Sequence, residues 1–321
     1  MTNENNLPGH PGFRRTFKRD HLTLGIFFPI ESFTGDLPRM QNQLELARAA
    51  DEAGFAALWT RDVPVRDPNF GDAGQTYDAW VFTSYVAAVT RRIAVGTGSV
   101  ILPLRAAVDL AKASCSVDVL SGGRFLFGVA SGDRPVEFPL YGHEHARRGE
   151  EFLARFDEVR SLYRDTGSID VIRSPLGYPV EVLPKPAVAP TVPVLVTGFA
   201  QQSLDWIASN ADGWMTYHRD PHVQKVIVDR WHEAVEIAGA GGFKPVMQSL
   251  YVDLANDPDA AATPIHLGYR LGRNRLRKIL STLRAAGIAH VAINLKHGSR
   301  PAPEVLEEIA EHVLPHFPSH Q

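Results

Sequence analysis

Seven residues, Thr197-Gly198-Phe199-Ala200-Gln201-Gln202-Ser203, lead from an apolar run into a helical one. The start of a helix carries unpaired N–H groups and the positive end of the peptide dipoles, so an anionic phosphate is stabilised there. Ser203 stands where its hydroxyl adds a donor; the plain alternative is an ordinary strand-to-helix joint with Ser203 in the first turn. A second unusual stretch is Ile93-Ala94-Val95-Gly96-Thr97-Gly98-Ser99-Val100, with two glycines inside an apolar strand. Glycine there marks a bulge or a place where a ligand meets the backbone, and a flat aromatic ring on Gly98-Ser99 is the functional reading. Close packing inside the fold is the other.

Polar side chains with catalytic potential follow the apolar runs: Arg61 and Asp62, Tyr217 and His218, Lys296 and His297. There are 13 histidines but no HExxH spacing, and His143-Glu144-His145 alternates faces if extended, so no metal site is expected. No GxSxG elbow, phosphate-binding P-loop or GxGxxG after a strand occurs, which removes the usual anchors of hydrolases and nucleotidases.

The elements that position these residues alternate. Strands are expected over Leu24–Phe28, Ala57–Trp59, Ile93–Leu102, Phe125–Ala130, Val194–Thr197, Gly213–Tyr217, Val246–Asp253 and Val291–Leu295. Helices are expected between them, over Arg39–Ala53, Ala79–Thr90, Ala106–Leu120, Arg147–Tyr163, Gln201–Asn210, Pro221–Ala238, Ile265–Ala286 and Pro303–Leu314. Continuous apolar strands are buried on both faces, as in a parallel sheet covered by helices. Gly54 and Gly287 fall just past a helix and shortly before a strand, where a left-handed residue closes an αβ joint. The expected fold is therefore α/β, a (β/α)8 TIM barrel, with an insertion after the fourth strand. The insertion covers Thr166 to Pro193, carries six prolines and reads as a hairpin or extended lid. One barrel domain is expected over residues 21–321, preceded by a flexible, solvated arm over 1–20.

A (β/α)8 barrel builds its active site at the C-terminal ends of its strands. That rule selects Phe28-Pro29-Ile30-Glu31, Thr60-Arg61-Asp62, Thr97-Gly98-Ser99, Ala130-Ser131-Gly132-Asp133, Gly198-Phe199-Ala200-Gln201, Tyr217-His218 and Lys296-His297-Gly298-Ser299, and among them Phe28, Arg61, Asp62, Thr97, Gly98, Ser99, Ala130, Ser131, Gly198, Phe199, Ala200, Tyr217, His218 and Lys296 are the candidate site residues. The loop from Asp67 to Asp78 is polar, Gly-rich and placed to close over them.

Composition narrows the partners. The 321 residues carry 33 Lys and Arg against 36 Asp and Glu, a net charge of −3, so no basic surface for nucleic acid is indicated. One Cys excludes an intrachain disulfide or a Cys-rich metal cage, and Cys115 reads as a small buried thiol. No apolar run reaches the length of a membrane span, and the first 20 residues lack the apolar stretch of a secretory signal; a cytoplasmic location is expected.

The run from Arg92 to Leu104, followed by Asp118-Val119-Leu120-Ser121-Gly122-Gly123-Arg124-Phe125-Leu126-Phe127-Gly128-Val129, resembles the bacterial luciferase-like monooxygenases. So do Ala53-Gly54-Phe55 before Leu58-Trp59, and Pro193-Val194-Leu195-Val196 before Asp205-Trp206. The resemblance implies a (β/α)8 barrel that binds FMN, or in some branches the deazaflavin F420, at the strand C-termini. In the FMN branch the reduced cofactor, supplied from outside by a flavin reductase, reacts with O2 to oxygenate a small organic substrate. It also implies a homodimer. Carried over by position, Gly98-Ser99 matches the bulge with a cis peptide under the flavin ring. Phe199-Ala200 matches the backbone at the flavin phosphate, Ser203 a hydroxyl there, and Tyr217 a residue beside the ring.

Two departures stand out. Ser131 occupies the position of a phosphate-binding Arg, so another cation must substitute, with Arg61, Arg134 and Lys296 as candidates. Val63 occupies the position of the luciferase catalytic His, so light emission is not implied, and Arg61, Asp62 and His218 become the candidate catalytic residues. A rim salt bridge is the structural alternative for Arg61 and Asp62. The expected function is an FMN-dependent monooxygenase; the alternatives are F420-dependent hydride transfer on the same fold and a non-catalytic flavin-binding protein.

Overall fold

The computed structural model describes residues 7–71, 74–164, 180–188, 190–239 and 242–320. Eight parallel strands form its centre: β1 (Thr23–Phe27), β2 (Ala57–Thr60), β3 (Ala94–Thr97), β4 (Phe125–Ala130), β5 (Val194–Thr197), β6 (Gly213–Thr216), β7 (Val246–Leu254) and β8 (Ile288–Asn294). Each pairs with the next, and β8 closes the ring onto β1, with Thr23 opposite His290 and Gly25 opposite Ala57. The result is a TIM barrel.

The continuous apolar strands divide by alternation. Leu24, Ile26, Leu58, Val95, Phe125, Phe127, Val194 and Val196 pack outward in the large core shared with the helices. Their alternates Ala57, Trp59, Ala94, Leu126, Leu195, Met215 and Ala292 fill the barrel interior. Around the ring run α2 (Gln43–Ala53), α3 (Ala79–Val89), α4 (Ala107–Leu120), α6 (Arg148–Tyr163), α7 (Leu204–Asn210), α8 (Pro221–Ile237), α9 (Arg273–Ala285) and α10 (Ala302–His312), with the short α5 (Glu137–Leu140) after β4. Gly54 and Gly287 each adopt a φ of +95°, the left-handed joint their placement predicts. Cys115 is buried, and burial pushes its thiol up to about 12.

Two expectations are corrected. The segment expected as a flexible arm folds, within its described part, into α1 (Pro11–Thr16), which plugs the N-terminal mouth of the barrel. Phe13 and Phe17 join the interior core, and buried His10 lies 2.9 Å from Asp118. Its positive charges flank these apolar anchors instead of continuing a solvated run. The stretch expected as one helix over Ile265–Ala286 begins with a hairpin, Thr263–Ile265 against Gly268–Leu271, and only Arg273–Ala285 is helical. Tertiary pairing decides this: Gly268–Leu271 extends β7 in parallel, and a Cβ on Gly268 would sit 1.9 Å from the Tyr251 carbonyl oxygen. The hairpin or lid expected over Thr166 to Pro193 falls largely on residues 165–179, outside the described residues. The described part that follows runs along the barrel flank, where the Ala187 amide donates to Asp118 at 2.8 Å and Lys185 donates to the Leu162 carbonyl at 3.2 Å.

Inside the barrel, Trp59 Nε1 donates to His290 Nε2 at 3.0 Å, which leaves the His290 proton on Nδ1, 2.7 Å from Thr23 Oγ1. Thr23 passes its own hydroxyl proton to the Thr16 carbonyl at 2.7 Å. Every proton in this chain is assigned, and burial pushes the His290 imidazole down to about 3. Because the folded value is depressed, the unfolded chain takes up this proton first as pH falls below about 6.5. Stability is expected to fall between about pH 6.5 and 3, at up to about 1.4 kcal/mol per pH unit from this residue. Urea unfolding at pH 5 and 7.5 checks it: the His290→Gln variant is expected to show a smaller stability difference between the two pH values than the parent. An identical difference would assign the acid sensitivity elsewhere.

Candidate active site

The C-terminal ends of the strands enclose a cleft of about 770 Å³. Its floor is the barrel interior rising to the surface: Phe27 at the end of β1, Met215 on β6, Met247 on β7 and Asn294 on β8. The strand expected over Ile93–Leu102 breaks here into β3 and a two-residue strand, Val100–Ile101, separated by Gly98-Ser99, whose peptide is cis. Gly98 has no room for a side chain, since a Cβ would meet the Phe27 ring at 2.6 Å. The Ser99 hydroxyl hydrogen-bonds Thr197 at the end of β5. Two backbone units and an aromatic ring thus present a flat surface.

One end of the cleft is the β5–α7 loop. Gly198, Ala200 and Gln201 have φ of +57°, +46° and +63°, and such left-handed residues turn successive N–H groups toward one side, forming an anion-receptive concavity. The loop is fixed from below, where the Gly198 amide donates to Met215 at 2.8 Å and Trp214 Nε1 donates to the Gly198 carbonyl at 2.6 Å. Beside it stand Ala130, Ser131, Gly132, Asp133 and Arg134 of the β4–α5 segment, then His145 and Arg148 at the start of α6. Arg61 and Phe70 of the β2–α3 loop, Tyr217 and Arg219 after β6, and Tyr251 with His266 complete the lining, and a Cβ on Gly198 would stand 3.6 Å from the Tyr217 ring. His266 reaches the cleft from the hairpin that extends β7.

Most rim expectations converge. Arg61, Gly98, Ser99, Ala130, Ser131, Gly198, Phe199, Ala200 and Tyr217 line the cleft. The others are corrected. Phe28 is fully buried in the outer core, edge-on to Phe82 at 4.9 Å, and its neighbour Phe27 faces the cleft instead, because successive strand residues alternate. The Thr97 side chain is buried, with its hydroxyl donated to the Gly128 carbonyl at 2.8 Å. Ser203 caps α7 by accepting from the Trp206 amide at 3.1 Å and does not line the cleft. Lys296 lies in a separate recess, its ammonium 5.0 Å from the centre of the Phe33 ring.

Two catalytic candidates also change role. His218 packs edge-on against Tyr269 and lies 3.2 Å from the Gln248 amide, away from the cleft lining. Burial pushes its imidazole down to about 4, so it is neutral at pH 7. Asp62 touches the cleft edge, but its carboxylate is fully engaged. Arg105 grips it with two hydrogen bonds of 2.7 and 2.8 Å, and the Ile101 amide donates at 3.0 Å. Burial raises the Asp62 carboxyl, and the Arg105 fork and the Ile101 amide oppose that shift. Asp62 is the brace that fastens β2 to the strand beyond the Gly98-Ser99 break.

Four arginines (Arg61, Arg134, Arg148, Arg219) and two aspartates (Asp62, Asp133) line the cleft. Arg134 lies over the Phe70 ring at 4.5 Å and 3.5 Å from Glu137. Burial pushes the Glu137 carboxyl up to about 7, partly offset by Arg134. Arg61 is roofed by its own loop: a Cβ on Gly74 would sit 2.4 Å from its guanidinium, and the Gln75 side-chain amide donates to its carbonyl. Arg148, His145, Arg219, Tyr251 and His266 were not selected as site residues by sequence reasoning. Arg148-Gly149 at a helix start was their one visible signal. Among the described residues no group of three or more His, Cys, Asp and Glu could hold a metal ion, and no helix is long and apolar enough to cross a membrane.

Residues 22–312 match the family model described as luciferase-like monooxygenase. An uncharacterized protein of Mycobacterium tuberculosis is 31% identical over 242 residues, 69% of this chain and 82% of that one. The fold is that of an F420-dependent secondary alcohol dehydrogenase in complex with an F420-acetone adduct, with a TM-score of 0.73 and 16% identity over 92% of this chain and 99% of that one. It is equally that of the oxygenating constituent of 3,6-diketocamphane monooxygenase from Pseudomonas putida, in complex with FMN, with a TM-score of 0.69 and 14% identity over 92% and 98%. Likeness at these identities speaks for the fold alone. With the family model spanning nearly the whole chain, this protein belongs to the luciferase-like monooxygenases.

Proposed function

We propose that this protein is an FMN-dependent monooxygenase that takes reduced FMN from a separate reductase and uses O2 on a small organic substrate. The observation that carries the reading is the pairing of the Gly98-Ser99 floor with the left-handed loop at Gly198, Ala200 and Gln201 in one cleft. A flat ring tethered to a phosphate needs both, and the residues present fit such a group. Gly98, Ser99, Phe27 and Met215 would support the ring; the amides of the β5–α7 loop would hold the phosphate. When bound, reduced FMN supplies the electrons that activate O2.

The chain's own residues supply position. Phe70 lies against Arg134 and Gly74 against Arg61, so the described parts of the β2–α3 loop border the cleft. Arg61 and Tyr217 bring a guanidinium and a phenol to the cleft, and Tyr217, 45% exposed, presents its phenol to the substrate. The test is to load the protein anaerobically with reduced FMN, admit air in the presence of candidate substrates, and follow both the flavin spectrum and oxygen incorporation from 18O2. Substrate-dependent incorporation is the expected result. Tight binding of F420 with transfer of a hydride and no incorporation would replace this reading with the deazaflavin one, and cofactor that binds without turning over would leave only a flavin-binding protein.

A further inference from the structure

Helix α9 carries four arginines and one lysine and no acidic residue, in a chain whose net charge is −3. Only part of that charge has a reason inside the fold. Arg273 pairs with Glu308 at 2.9 Å, and Arg284 stands in the last turn, where the helix dipole favours a cation, over the Phe317 ring at 5.6 Å. Arg275, Arg277 and Lys278 form no ion pair among the described residues. Arg275 lies in the first turn, where the dipole disfavours a cation, and no acidic residue of that turn offsets it. Arg273 stands four residues before Arg277, and Arg275 three before Lys278, so like charges neighbour each other along the helix and weaken it. Fold stability alone does not favour such a sequence. An anionic partner does.

The same helix borders a groove of about 680 Å³, whose other wall is the segment that follows α10. Arg277, Lys278 and Arg284 line it from α9, with Ser281 and Thr282 between them and His316 facing them. Lys278 and Arg284 are exposed, and Arg277 is half-buried. One carboxylate, Asp259, also lines the groove, and it already accepts from Asn274 Nδ2 at 2.9 Å. From Asn274 to Arg284 the helix rises about 15 Å, the length of about four or five extended residues. Cations spread over that length match carboxylates carried along an extended chain, each taken by a charge-assisted hydrogen bond. A nucleic-acid duplex needs a broader basic surface than one helix face. Because α9 begins just after the hairpin whose tip, His266-Leu267, lines the cleft, a partner seated in the groove stands on the flank of the barrel beside the cleft.

We infer that the groove along α9 docks an acidic, extended segment of a partner protein. This goes beyond the flavin reading and does not depend on it. Fluorescence anisotropy of the full chain with a labelled peptide of alternating Glu and Ser, about ten residues long, tests the occupant. Saturable binding that weakens as salt rises is expected. Arg277→Gln combined with Lys278→Gln is expected to weaken it at least about tenfold, whereas Arg48→Gln with Arg91→Gln, exposed arginines outside the groove, is expected to change it by less than about twofold. Thermal melting of the same Arg277 and Lys278 variant supplies a readout that needs no partner: with the like-charge repulsion removed, the melting temperature is expected to rise by about 1–3 °C. A fall in melting temperature would make these cations part of the fold and overturn the inference. So would failure of the peptide to bind, equal losses in the two variants, or tighter binding of a single-stranded oligonucleotide of like length and charge.

Discussion

Asp62→Ala is expected to lower the stability of the folded protein by about 3–5 kcal/mol, the usual cost of removing one partner from a buried ion pair. The Asp62 carboxylate is nearly inaccessible and accepts three hydrogen bonds, two from Arg105 and one from the Ile101 amide. Its loss leaves the Arg105 charge and one amide without their acceptor in a region that water cannot easily reach. Chemical denaturation of Asp62→Ala measures the loss, and Arg105→Met added to it is expected to recover part, because the second change removes the stranded charge. The same variant separates the two roles considered for this residue. At a temperature where enough of it stays folded, cofactor affinity per folded molecule is expected to match that of the parent within about threefold. Unchanged stability with lost turnover would return Asp62 to the chemistry.

The second large effect concerns the floor of the cleft. Gly98→Ala adds a methyl group 2.6 Å from Phe27 Cε1 and 3.4 Å from Met215 Cε, both fixed in the barrel interior. Overpacking of this kind typically costs about 1–3 kcal/mol, and the easiest relief is for the Phe27 ring to rise into the cleft. Flavin affinity is therefore expected to fall at least about tenfold, measured by fluorescence titration, with a smaller drop in melting temperature. Phe27→Leu in the Gly98→Ala background frees space below the floor and is expected to recover binding. Normal affinity in Gly98→Ala would mean that the ring does not lie on this surface.

Much of this architecture is legible in the residues because single elements determine it. Continuous apolar runs such as Phe125–Ala130 declare strands buried on both faces, and Gly54 and Gly287 mark αβ joints through a conformation that glycine adopts without cost. Gly198-Phe199-Ala200 is likewise readable, because a turn entering a helix carries its chemistry in the backbone. What was not legible depends on contacts between distant elements. The basic last turn of α1 conceals Phe13 and Phe17, whose burial requires the barrel mouth to exist. The hairpin before α9 forms because β7 offers an edge to Gly268, which no local propensity encodes.

The site divides along the same line. Side-chain direction at a strand end is decided by alternation, so an offset of one residue exchanges Phe27 for Phe28. His218 and Lys296 follow strands as catalytic residues do, yet Gln248 with Tyr269, and Phe33, hold them elsewhere. Asp62 looks like an acid at the rim until Arg105, 43 residues later, closes on it. Arg148 is the converse case: it stands far from any strand end in sequence, and a contact between Gly149 and Gln201 brings it to the cleft.

The central claim is that one cleft holds a phosphorylated flavin, with its ring on Gly98-Ser99 and its phosphate at the β5–α7 loop. A crystal structure of the protein soaked with FMN, reduced in the crystal and unreduced, tests it most directly. The account predicts density for the ring in van der Waals contact with the Gly98-Ser99 peptide, and for the phosphate within hydrogen-bond distance of the Ala200 or Gln201 amide. Flavin bound in the recess beside Lys296, or with its phosphate away from the β5–α7 loop, would contradict it.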